Sequence, residues 1–78
     1  MSIVFNTKFF DIRIVEKVGN HNHYVIMNKP DAIAVLGYIN WFPRWRKYVF
    51  TTNHHDVTIF DATCLKDIVK FLESLEEK

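Results

Sequence analysis

Seventy-eight residues bound this chain to one small domain, 1–78, too short for a nucleotide-binding α/β unit with a separate substrate domain. A composition 49% hydrophobic and 15% aromatic supplies the dense core that so short a chain needs, and argues against intrinsic disorder. The formal net charge of +1 lacks the strong basic excess of dedicated nucleic-acid binders, and a single cysteine, Cys64, rules out an internal disulfide or a zinc ribbon.

Charge is nevertheless unevenly spread. Residues 1–50 carry seven Lys/Arg against three Asp/Glu, whereas 51–78 carry three against six. No acid lies between Asp31 and Asp56, the interval that holds Arg44, Arg46 and Lys47. A polarised molecule with one basic end is expected.

In chain order, Ile3 to Lys17 alternates, with Phe10, Ile12 and Ile14 on one side and Asp11, Arg13 and Val15 on the other. Period two in β-branched and aromatic residues predicts a strand. Val18-Gly19-Asn20 signals a turn, and Tyr24 to Asn28 a returning strand. Pro30 breaks the chain, and Ala32 to Trp41 reads as a buried strand. Phe42-Pro43-Arg44 turns it again, Trp45 to Thr52 runs back, Asn53-His54-His55-Asp56 turns, and Val57 to Phe60 forms a short last strand.

The C-terminus differs in kind. Asp61 is a helix N-cap, and Leu65, Ile68, Leu72 and Leu75 recur at helical spacing, with Cys64 and Phe71 widening the stripe. Together these elements predict an α+β fold, an antiparallel sheet of four to five strands with one C-terminal amphipathic helix packed on a face.

The segment from Trp41 to Phe50 concentrates five of the twelve aromatics and three of the ten basic residues. Guanidinium and ammonium groups neutralise phosphate, and flat rings stack on unpaired bases. Trp41, Arg44, Trp45, Arg46, Lys47 and Tyr48 are therefore the candidate binding residues. Against this stands the need of a small domain for its rings, which would place Trp41, Tyr48 and Phe50 inside. Trp45, between two arginines beside a turn, is the expected exposed anchor.

His21, His23, His54 and His55 occupy two turn regions that would bring imidazoles together if both lay at one end, but their spacing matches no metal signature. Cys64 at a helix start could be an activated thiol beside His54 or His55, although a buried structural cysteine explains it better. No Gly-rich phosphate loop or paired acid is present, so no enzyme, catalytic residue, metal or cofactor is expected. Neither a secretory signal nor a bilayer-length apolar run is found, which points to a soluble, cytoplasmic protein.

From Gly37 onward the chain resembles short uncharacterised proteins of bacteriophage and other mobile elements. The resemblance rests on Trp41, Trp45, Arg46, Lys47, Tyr48, Val49 and Phe50, then Thr58, Phe60, Asp61, Cys64, Leu65, Ile68, Phe71 and Leu75. It covers about half the chain and brings no assigned activity. It implies an accessory protein inside a bacterial host that occupies a surface. The expected function is a non-enzymatic binder that blocks or modulates a host protein or nucleoprotein complex, such as a nucleic-acid-handling or defence assembly. The alternative is direct single-strand binding through Arg44 to Tyr48, and pairing of an exposed edge strand with a second copy is compatible with either.

Overall fold

A computed structural model describes residues 2–29, 35–53 and 60–76. Five strands, β1 (Ser2–Asn6), β2 (Phe10–Val18), β3 (His21–Asn28), β4 (Val35–Phe42) and β5 (Lys47–Thr52), precede one helix, α1 (Ala62–Glu76). The strands form an antiparallel meander in sequence order, β1-β2-β3-β4-β5.

The alternation expected from Ile3 to Lys17 is present but spans two strands. Thr7 makes the break. Its hydroxyl accepts from the amides of Phe9 and Phe10 and donates to the Phe10 carbonyl, so one side chain satisfies a tight turn. Lys29, at the end of β3, donates through Nζ to the Asn6 side chain and to the Thr7 carbonyl, clamping that turn from across the sheet. At the opposite end of β2, Val18 pairs with His21 across a two-residue loop. Gly19 there has φ +63°, the left-handed first position of a II′ hairpin turn.

Pairing sets which side chains share a face. Ile12 stands opposite Ile26 and Phe5, Ile14 opposite Tyr24, and Tyr24 opposite Ile39. These residues, with Phe10, form the face covered by α1, whose Ile68 and Phe71 complete the buried cluster. Phe71 lies between Phe5 and Tyr24, with ring centroids at 5.5 and 5.1 Å, in the tilted and edge-on contacts aromatic quadrupoles favour. The other face carries the Arg13–Asp11 ion pair, N–O 2.7 Å, beside buried Val25 and Met27.

The expected helical stripe is found except at one edge. Leu65 is 44% exposed, and the packed side runs through Cys64, Ile68, Phe71, Leu72 and Leu75. Leu65 and Val69, one turn apart, face outward instead. The strand expected over Ala32 to Trp41 is found as Val35–Phe42, its first residues lying outside the described ones. The Pro30 break and Val57 to Ile59 also lie outside them, and Phe60 is in no strand.

Gly37 shows why the centre of β4 tolerates no side chain. A Cβ there would meet the Thr51 carbonyl oxygen at 2.5 Å and Phe50 Cε1 at 2.7 Å. Gly37→Ala should therefore push Phe50 off the core and destabilise the fold by about 1–3 kcal/mol. Urea denaturation would show this as a lower midpoint.

Asp61 caps α1 as expected, its Oδ1 accepting from the Cys64 amide at 2.8 Å. That hydrogen bond, with lesser help from neighbouring donors, holds the Asp61 carboxyl below its ordinary value. A depressed acid stabilises the fold when ionised, so its contribution is present above the unfolded-state pKa. It is lost as pH falls through the folded value, below about pH 4. Asp61→Ala should lower Tm at pH 7 and flatten the dependence of Tm on pH in that acid range. Asp61→Asn, which still caps, should lose only the pH dependence.

Candidate binding end

In a meander, alternate turns fall at the same end. The β2–β3 turn at Gly19-Asn20 therefore neighbours the β4–β5 loop, residues 43–46, and the C-terminus of α1 reaches the same end through Leu75 and Glu76. All six candidate residues lie here, but in two distinct settings.

The first is the loop tip. Phe42 pairs with Lys47, and the four residues between them turn through two successive bonds, Trp45 N–H to the Phe42 carbonyl and Arg46 N–H to the Pro43 carbonyl, both 3.2 Å. Pro43 presets the φ that the first turn needs. Arg46 closes the loop at φ +54°, left-handed for a residue bearing a Cβ. Trp45 stands out at 64% exposed, and its ring meets Phe42 edge-on at 4.9 Å. Arg44 and Arg46 adjoin it in sequence and Lys47 follows, all exposed and with no carboxylate partner among the described residues.

This geometry corrects one expectation. Had Trp45 to Thr52 been a continuous strand, Arg44 and Arg46 would share a face with Tyr48 and Phe50. β5 instead begins at Lys47, so both arginines belong to the turn and only Tyr48 and Phe50 face the core.

The second setting is a cleft of about 540 Å³ behind the loop, lined among others by His21, Asn22, Trp41, Arg46, Tyr48 and Glu76. Trp41 and Tyr48 are directly opposed across β4 and β5, with rings edge-on at 5.4 Å. His21 lies parallel to the Trp41 ring, 3.9 Å away at 8°. Burial first, and Tyr24 second, push the Tyr48 hydroxyl up, so it stays protonated at neutral pH despite the opposing Asn22 amide. Tyr48 then passes edge-on to Tyr24 at 6.0 Å, joining the cleft wall to the core. Trp41, Tyr48 and Phe50 are thus half-buried, whereas Trp45 is exposed as expected.

Sequence reasoning assigned His21 only to a turn. Its place beside Trp41 follows once the strands are known to form a meander, because the two hairpin turns then coincide. His54 and His55 lie outside the described residues, and among the described residues no group of three His, Cys, Asp or Glu could hold a metal. Cys64 is half-buried against the core. Burial, then the neighbouring Asp61, push its thiol up, the reverse of nucleophile activation.

Among the described residues no helix is long and apolar enough to cross a membrane. Comparison of the chain with protein-family models, with curated proteins and with solved structures gave no match.

Proposed function

We propose that the protein is a small non-enzymatic binder that docks on a protein partner through the β4–β5 loop, blocking or modulating a nucleic-acid-handling or defence assembly inside a bacterial host. The observation that carries this reading is Trp45, a ring 64% exposed, braced by Phe42 and adjoined in sequence by cations with no carboxylate partner among the described residues. Tryptophan and arginine at the centre of a contact supply a disproportionate share of binding energy. A braced ring also has less rotamer entropy to lose on docking. The excess of cations at the tip selects an acidic surface on the partner.

Direct single-strand binding through Arg44 to Tyr48 is the second reading, favoured by those same cations. It is the weaker one because a strand needs several open ring faces in series. Trp41 already stacks with His21, and Tyr48 is engaged edge-on by three rings, which leaves Trp45 as the open ring of the segment.

The test is affinity capture from bacterial lysate with the intact chain as bait, after nuclease treatment. Recovery of one protein in stoichiometric amount supports a protein partner. Recovery of nucleic acid alone, with binding that falls steeply as salt rises, would replace it with the second reading. The absence of both would refute the two together.

A further inference from the structure

Behind the loop, the cleft holds a different chemistry from the tip, and the inference drawn from it goes beyond the docking role of Trp45. The geometry points to a nucleotide-binding site in this cleft, taking a single heteroaromatic base with its phosphate ester.

The first observation is the position of Arg46. A non-glycine residue at φ +54° is disfavoured by the close approach of its Cβ to backbone, and glycine or asparagine would close this loop at lower cost. An arginine held there at that cost joins Lys47 in the lining of the cleft. Neither has a carboxylate partner among the described residues, so both are available to an anion. The protonated Tyr48 hydroxyl, within the same lining, adds a neutral donor.

The second observation is the wall. The imidazole of His21 lies on the Trp41 indole at 3.9 Å and 8°, a parallel stack of two flat heterocycles within the lining. A base can extend that stack on its outer side at the usual aromatic spacing. Glu76, at the C-terminal end of α1, adds negative charge to the same lining. That charge favours phosphate beside Arg46 and Lys47 rather than beside Glu76, whose carboxylate can accept from a sugar hydroxyl or an exocyclic amine. A bare polyanion meets only the two cations, and a nucleoside only the wall and Glu76. The full arrangement is complementary to the two joined.

The chain has two tryptophans, so Trp45→Ala makes Trp41 the sole indole and a reporter seated in the cleft wall. In that background, adenosine 5′-monophosphate should quench Trp41 fluorescence saturably, with adenosine and inorganic phosphate each binding at least tenfold more weakly. Arg46→Gly should raise Tm by about 4 °C, because it removes the left-handed strain, and yet weaken the nucleotide at least tenfold. Lys47→Gln should weaken it without that gain in Tm. Saturable quenching lost in both variants supports the site. No quenching by the nucleotide, or equal binding by Arg46→Gly, overturns it. Because the reporter protein lacks Trp45, failure of the loop-docking reading leaves this result unchanged, and the reverse also holds.

Discussion

Trp45→Ala is expected to leave the fold standing and remove most of the affinity for the docking partner. The ring is 64% exposed and touches Phe42 edge-on, so its truncation should change stability by no more than about 0.5 kcal/mol. In a partner's pocket the same ring would be fully desolvated. Losing it should cost about 2 kcal/mol or more, some thirtyfold in Kd. Calorimetric titration against the captured partner, beside thermal melts of both proteins, would separate the two effects. A variant that melts normally and binds like the parent would remove Trp45 as the anchor. Arg44→Ala should cost less, and mainly through the association rate, because an exposed rim charge steers more than it holds.

Phe71→Ala is expected to come close to unfolding the domain. Phe71 is buried between Phe5 of β1 and Tyr24 of β3, the point at which α1 locks onto the sheet. Removing a buried phenyl ring costs about 3–5 kcal/mol, partly from lost transfer energy and partly from the cavity left behind. A chain of this length has a total stability of about 0.05–0.15 kcal/mol per residue, so the loss approaches the whole. Circular dichroism of the variant should show a Tm lowered by tens of degrees, or no cooperative transition at all. Leu65→Ala, on the same helix but facing outward, should melt within a few degrees of the parent. If both variants melted alike, the outward placement of Leu65 described above would be wrong.

The outward Leu65 shows where the sequence pattern carries information and where it does not. The helix, its Asp61 cap and its approximate length are written in local spacing, because capping and amphipathicity are short-range properties. Its docking angle depends on which rings the sheet offers. Phe71 reaches both Phe5 and Tyr24, and satisfying those two contacts turns Leu65 outward. The break after β1 was hidden for a similar reason. Thr7 is unremarkable in a strand until its hydroxyl is seen to bond the Phe9 and Phe10 amides.

The binding end is a mixed case. Exposure of Trp45 between two arginines was legible, since a turn beside Pro43 leaves little space to bury an indole. The left-handed Arg46 was not, because an arginine gives no signal for positive φ. Nor was the His21–Trp41 stack, which joins residues twenty positions apart and exists only because the meander places two hairpin turns side by side.

The most direct test of the loop as working surface is hydrogen–deuterium exchange of the protein, free and bound to its captured partner. Residues 42–48 are predicted to gain protection in the complex, with the outward face of α1 around Leu65 and Val69 unchanged. Protection confined to that helical face, with 42–48 exchanging as in the free protein, would contradict the account.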